Sequence, residues 1–490
     1  MAFAFPTCLQ ASFVVREREE KWKHQQLVSG VSLTAYWAST LLWDTLVHLI
    51  PIAVAICLMF AFNLASFVGN TECIAATFLI FGLYSVAGPL YSYVVSSPFT
   101  SYFNGMMFTY VLNNVTGIIL MMVTFIVYFV VPDDPVQAAN QRRTADALKW
   151  VFRLFPPYCL TNGLMTMSLS VAYSFFSPNS DGTALQALDW RIAAPEVLML
   201  AIDIPIYIII IAAIELINQK GSWKKVICPC LRDPDVPRRR NDEDDADIME
   251  ERKRVLSGKA HESNDVVILD KLRKTFRPAK VAVRDLTLGI PNGECFGLLG
   301  INGAGKTTTL SMLSGILTPT DGTCYLAGRN VATDLNDVRH LMGFCPQFDA
   351  LWPVLTGREH LMIYARIKGV PEETIHAVVE KKIVEMDLSA HCHREAGGYS
   401  GGNKRKLSVA IATIGDPAIV FLDEPSTGMD PVSRRFMWDV IVKMATQDQS
   451  CSVVLTTHSM EECEALCTRI GIMVGGRMQC LGSAQHLKSR

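Results

Sequence analysis

Four stretches of mainly apolar residues, roughly Trp37 to Phe62, Ile74 to Val95, Met106 to Val131 and Pro195 to Ile217, decide what the first half of this chain can fold into. A helix needs about 20 such residues, at a rise of roughly 1.5 Å each, to cross the apolar layer of a bilayer. Inside that layer each backbone N–H and C=O must be satisfied within the segment, so the four stretches predict spanning helices. A shorter apolar opening, Met1 to Val15, reads as the tail of a fifth helix whose beginning is missing, and it has no basic leader of the kind a cleavable signal carries. Val151 to Phe176 is apolar but interrupted by Pro156, Pro157, Asn162 and Gly163, which suits a re-entrant or outer-leaflet hairpin better than a straight span.

Half of the 490 residues are hydrophobic and 19% are charged, a mean that conceals a membrane-like first half and a soluble α/β-like second half. The net charge of -2 carries no footprint of nucleic-acid binding, so that partner class is excluded. No disulfide framework is expected from the scattered cysteines, and Cys73 with Cys159 gives no spacing that argues for a bridge. Gln219 to Asn264 is charged and proline-containing, with Arg238, Arg239 and Arg240 ahead of an acidic run from Asp242 to Asp247, and reads as a solvated linker. Cys228 and Cys230 within it are either juxtamembrane lipidation sites or ordinary thiols. Asp44 and Asp203 interrupt apolar stretches; rather than substrate or proton sites, they read as residues near helix ends where water is within reach. Asn114-Val115-Thr116 has the form of a glycosylation sequon but falls inside a predicted span.

From residue 265 onward, short β-rich runs alternate with helical patterns, as in a domain built on a largely parallel sheet. Cys295 to Leu299 is a buried-strand pattern running into Gly300-Ile301-Asn302-Gly303-Ala304-Gly305-Lys306-Thr307-Thr308, a phosphate-binding loop at every constrained position. Its glycines let backbone N–H groups turn inward around phosphate, and the helix that follows directs its positive end there. Lys306 is assigned to the β and γ phosphates of ATP and the Thr307 hydroxyl to Mg²⁺. Ile419 to Leu422 is a second buried-strand pattern, ending in Asp423 and Glu424. Asp423 is expected to serve Mg²⁺ through a water, and Glu424 to activate the attacking water as general base. His391-Cys392-His393 reads as loop, since three adjacent residues do not converge on one metal.

Tyr399-Ser400-Gly401-Gly402-Asn403, followed by Lys404 to Leu407, resembles the signature motif of ATP-binding cassette (ABC) proteins. Tyrosine at its first position and asparagine at its last look like the second cassette of the A subfamily, as does the run from His458 to Cys467. The resemblance covers almost the whole chain and implies further roles. Gln347 is similar to the Q-loop glutamine, which senses nucleotide, faces the membrane domain and joins Thr307 and Asp423 at Mg²⁺; His458 to the switch histidine at the γ phosphate; Asp430 to the D-loop aspartate; and Phe276 to the aromatic that stacks on adenine. It also implies that ATP is held between two cassettes, each lending its signature to the other's site, with the partner supplied by a missing first half or by a second copy. Lipid as the transported substrate follows from the resemblance alone.

The fold expected is therefore multi-domain: an α-helical transmembrane bundle over 1–218, a charged linker over 219–264, and an α/β phosphate-loop domain of the ABC type over 265–490. With the cassette in the cytosol, counting back one side change per span puts 132–194 outside and Arg16 to Gln26 inside; Arg142, Arg143 and Lys149 oppose the positive-inside rule. Glu17 to Gly30 is expected to form either a coupling helix that touches the cassette or a plain amphipathic surface helix. An ATP-driven lipid exporter is the function expected, against two alternatives: a non-transporting regulator or channel, and a fragment inactive without its first half.

Overall fold

Long apolar runs fold into long helices in the computed structural model, which describes residues 3–129, 135–176, 187–190, 192–220, 245–276, 280–447 and 451–489. The chain divides into two units: Met1–Lys21 with Leu33–Asn218, and Trp22–Ser32 with Gln219–Arg490.

In the first unit, α1 (Ala4–Glu19), α3 (Leu33–Ala61), α4 (Ala65–Val68), α5 (Thr71–Ser96), α6 (Tyr102–Asn114), α7 (Leu120–Phe129), α8 (Pro135–Phe152), α9 (Pro156–Phe176) and α10 (Ala194–Lys220) form an all-helical bundle. Leu33–Ala61, Thr71–Ser96, Tyr102–Tyr128 and Ala194–Asn218 are long and apolar enough to cross a membrane. Ile80, Phe81 and Tyr84 of α5 form the centre of the core, with Ile52 and Ile56 of α3, Met167 of α9 and Leu200 of α10 around them. Between α6 and α7 the helix widens into a π turn, Val115–Ile119. The cause lies across the packing: the Thr161 hydroxyl of α9 donates to the Gly117 carbonyl, and a Cβ on Gly117 would come within 3.3 Å of Pro157. The expected interruption of Val151 to Phe176 is confined to its start, where Pro156 opens α9 and the helix then runs on through Asn162 and Gly163.

Two readings of buried charge are corrected here. Asp44 is buried and accepts from the Tyr93 hydroxyl, while Asp203 is 1% exposed and has no hydrogen-bond partner for either carboxylate oxygen among the described residues. Position along a helix gives depth but not the direction of the side chain, and both face the bundle interior instead of water. Glu196, also buried, is held by Arg153 through Nε at 3.0 Å and Nη2 at 2.9 Å, and by Asn162 at 2.7 Å. Replacing Arg153 with Met leaves that carboxylate without its cation, and we expect about 3 to 5 kcal/mol of destabilisation. Thermal unfolding in detergent checks this, and a melting temperature equal to that of the unaltered protein would refute it.

The second unit carries two sheets. One is antiparallel in the order β2-β1-β4-β5, from β1 (Val267–Phe276), β2 (Lys280–Ile290), β4 (Asp321–Leu326) and β5 (Arg329–Asn330). The other has the order β10-β9-β3-β8-β7-β6, from β3 (Cys295–Leu299), β6 (Met342–Cys345), β7 (Ile419–Asp423), β8 (Ser452–Thr457), β9 (Arg469–Val474) and β10 (Arg477–Gly482). It is parallel from β9 to β6, with β10 antiparallel at the edge. Strands β3, β7 and β8 are covered on both faces, hence the apolar stretches 295–299, 419–422 and 453–455 within them.

The linker expected through Asn264 is corrected for its last part: Ala246–Leu256 is an amphipathic helix that buries Ile248, Glu251 and Val255, with Glu251 accepting from the Gly289 N–H at 2.9 Å. Cys228, Cys230 and Arg238 to Arg240 lie outside the described residues. The helix expected over Glu17 to Gly30 is broken at Lys21, whose φ of 60° ends α1. Past the break, α2 (Trp22–Val28) packs with the second unit: Gln25 donates to the Phe344 carbonyl at 3.1 Å, the Trp22 and Trp352 rings are 6.2 Å apart, and Val28 enters the core.

Candidate functional site

The carboxyl ends of β3, β8 and β7 lie side by side, and this adjacency builds the site. Leu298 pairs with Thr456, and Thr456 with Asp423, so the phosphate-type loop after β3 and the acidic pair at the end of β7 flank one strand. The loop takes its shape from positions no side chain fits. Gly305 has φ 107°, and a Cβ there would lie 2.6 Å from the Ala282 carbonyl; one on Gly300 would lie 2.5 Å from the Met473 carbonyl. Lys306 opens the helix Lys306–Leu313, and its Nζ donates to the Gly300 carbonyl at 2.6 Å and the Ile301 carbonyl at 3.3 Å.

Asn302, Gly303, Gly305, Lys306, Thr307 and Thr308 line an open cleft of about 770 Å³, together with Phe276, Gln347 and Glu424. Glu424 is 7% exposed and stands at the centre of the polar groups: Gln347 donates to it at 3.2 Å, Thr427 at 3.2 Å, Lys306 Nζ is 3.8 Å away and His458 Nδ1 is 3.6 Å away. His458 itself is 56% exposed at the rim. Asp423 is buried beneath, accepting from the Thr456 hydroxyl and, at 3.2 Å, from the Thr307 hydroxyl. Burial pushes the Asp423 carboxyl above its ordinary value, and those two hydrogen bonds oppose the rise. The Thr307 hydroxyl in the cleft lining and the Asp423 carboxylate buried behind it form a pair of hard oxygen donors, the donor chemistry Mg²⁺ takes when phosphate and water fill its other positions.

Not every expected residue lies in this cleft. Ser400 caps the helix Gly401–Thr413 by accepting from the Asn403 N–H at 3.3 Å, and Asp430 caps Pro431–Gln447 by accepting from the N–H groups of Val432 and Ser433. These two helix starts meet each other: a Cβ on Gly402 would lie 3.4 Å from Ser433 Oγ and 3.8 Å from Asp430 Oδ1. Ser400, Gly401, Gly402, Asn403 and Asp430 thus form a second surface separate from the cleft lining. Sequence reading missed Thr456, Thr427, Arg405 and the cleft wall formed by Lys280 to Ala282 and Gly475. Arg405 was visible only as one residue of the run after the signature motif, and the others only as members of a strand or a turn; the convergence is tertiary.

Residues 1–213 match the family model described as an ABC-2 family transporter protein, and residues 283–427 match the model described as an ABC transporter. The chain belongs to the ATP-binding cassette (ABC) transporters. Relatives over nearly its whole length are members of the ABC A subfamily. The chain is 40% identical over 97% of its length to ATP-binding cassette sub-family A member 7 of Rattus norvegicus, covering 21% of that protein. It is 38% identical over its full length to sub-family A member 2 of the same species, covering 20%. To the retinal-specific phospholipid-transporting ATPase ABCA4 of Bos taurus it is likewise 38% identical over its full length, covering 21%. This ABC chain therefore spans about a fifth of the length of the curated relatives it matches. A solved ATP-binding subunit of an ABC transporter is 24% identical, with a TM-score of 0.43, over 46% of this chain and 92% of its own.

Proposed function

We propose that this chain is an ATPase whose cassette turns ATP binding and hydrolysis into movement of lipid by the helices of the first unit. The observation that carries the proposal is the cleft in which the loop residues Asn302 to Thr308 share a lining with Glu424, with Asp423 bonded to Thr307 and with Gln347 and His458 on the Glu424 carboxylate. Loop N–H groups and Lys306 bind the β and γ phosphates. Thr307, with Asp423 and Gln347 around it, would hold Mg²⁺, which would supply neutralisation of the phosphate charge. Glu424 takes the proton of the attacking water, Gln347 and Thr427 orient its carboxylate, and His458 addresses the γ phosphate. Phe276, at the cleft mouth beside Lys280, offers a flat face for adenine.

The surface formed by Ser400 to Asn403 and Asp430 is separate from the chain's own cleft, which supports a second cassette as partner: each signature would complete the other's site. With the cassette on the cytosolic side, residues 1–218 are the membrane portion. The break at Lys21 supports Trp22–Ser32 as the element through which cassette motion reaches the helices. Lipid as cargo draws on the name of one of these relatives, the retinal-specific phospholipid-transporting ATPase ABCA4.

The test is vanadate-sensitive ATPase activity of the reconstituted chain against a panel of phospholipids and sterols, with Glu424→Gln as control. Turnover that the control abolishes and that particular lipids raise at least about twofold is the expected result. Turnover indifferent to every lipid would leave an ATPase but remove the lipid assignment.

A further inference from the structure

We infer that Arg405 is a positioning residue for hydrolysis: it holds the backbone that aims Glu424, and through one guanidinium it ties that carboxylate and Gln347 to the helix Gly401–Thr413. The inference rests on the reading of Glu424 as the base. Arg405 is 3% exposed and points into the protein from the helix that opens with Gly401 and Gly402.

Its bonds are unusual for a buried cation. Nη2 donates to the Asp423 carbonyl at 2.7 Å and the Glu424 carbonyl at 3.0 Å, and Nε donates to the Pro425 carbonyl at 3.0 Å. Nη1 donates to the Pro346 carbonyl, with Asp349 Oδ1 at 3.5 Å. Arginine–carboxylate pairs are frequently held by two short parallel bonds. Here the planar fork is used on three successive backbone carbonyls and on the peptide just before Gln347, while Asp349 is the more distant neighbour and accepts from Ser408 at 2.8 Å.

The held segment has a reason to need this. Glu424 has φ 50°, a left-handed conformation that a side chain with a Cβ adopts at a cost. Such a residue keeps that conformation where its surroundings over-determine it. The Glu424 N–H is fixed on one side by the Thr456 carbonyl at 3.1 Å and hydroxyl at 3.2 Å. Arg405 fixes the other side, through the carbonyls. With both fixed, the side chain is directed at Gln347, Thr427, Lys306 and His458 together. Lysine cannot substitute: one ammonium has no fork with which to span four carbonyls.

Arg405→Lys and Arg405→Ala in the whole chain, beside Glu424→Gln, test the inference through turnover, ATP affinity and hydrogen exchange of the Asp423, Glu424, Ser426 and Thr427 amides. For Arg405→Lys we expect kcat to fall about 100-fold, as for a reacting group displaced by an ångström. KM for ATP should stay within about threefold, because the phosphate-binding loop is untouched. Those four amides should exchange about tenfold faster, with the amides of β3 and β8 unchanged. Methylguanidinium should restore part of the turnover of Arg405→Ala and none of that of Glu424→Gln.

Unaltered kcat in Arg405→Lys, where Glu424→Gln abolishes turnover, overturns the inference alone. Turnover that survives Glu424→Gln overturns the reading of Glu424 and the inference with it. The exchange measurement applies even where turnover is too slow to follow. Unchanged exchange at the four amides, or equally faster exchange across β3 and β8, overturns the positioning role.

Discussion

Glu424→Gln should lower ATP turnover by about 100- to 10,000-fold, the range that a positioned general base supplies, and leave nucleotide affinity nearly unchanged. The amide has the shape of the carboxylate and can still accept from Gln347 and Thr427, each at 3.2 Å, so the local packing survives. It has no basic lone pair for the proton of the attacking water. Lys306 at 3.8 Å and His458 at 3.6 Å would face a neutral group, which changes the charge around the cleft while the backbone of the phosphate-binding loop stays in place. Phosphate release measured with equilibrium binding of a fluorescent ATP analogue separates the two effects. More than about a tenth of the original rate remaining would exclude Glu424 as the base.

Lys306→Met should act on binding instead, weakening ATP by about 100-fold or more. A charge-assisted hydrogen bond contributes about 1.5 to 3 kcal/mol, and Lys306 is assigned to two phosphates. The side chain is nearly buried and is held at the mouth of the loop by the carbonyls of Gly300 and Ile301, so its ammonium is oriented before nucleotide arrives. Methionine keeps most of the stem's volume, and we expect the cassette to stay folded. Calorimetric titration with MgATP, alongside thermal unfolding, is the check. Retained affinity with an unchanged melting temperature would remove Lys306 from the phosphate site. Loss of both would show that the substitution had damaged the fold.

Much of this molecule is legible along the chain, because some of its physics is local. A glycine at 305 is required by a φ of 107° and by a carbonyl 2.6 Å from where a Cβ would be, so the loop announces itself in a short run of residues. Four apolar stretches become membrane-length helices because a helix is the structure that satisfies its backbone within one segment in lipid. A pair of acids after four apolar residues marks the end of a buried strand, and β7 ends there.

Direction and neighbourhood were decided elsewhere. Asp203 looked like a residue near water, yet it faces the bundle, since depth along a helix does not give the face. Residues 246–262, read as solvated linker, fold because Ile248 and Val255 find a sheet to cover and Glu251 finds the Gly289 N–H. Gln347, Glu424 and His458 are far apart in sequence and meet because β6, β7 and β8, whose carboxyl ends they follow, are neighbours in the sheet. The sequence by itself determined the membrane helices, the phosphate-type loop and the acids opposite it, each written into a short run by local backbone and burial requirements. Only the tertiary structure decided that Thr456 and Arg405 hold those acids in place, because a hydrogen bond between distant residues depends on strand order and helix packing, which no local run encodes.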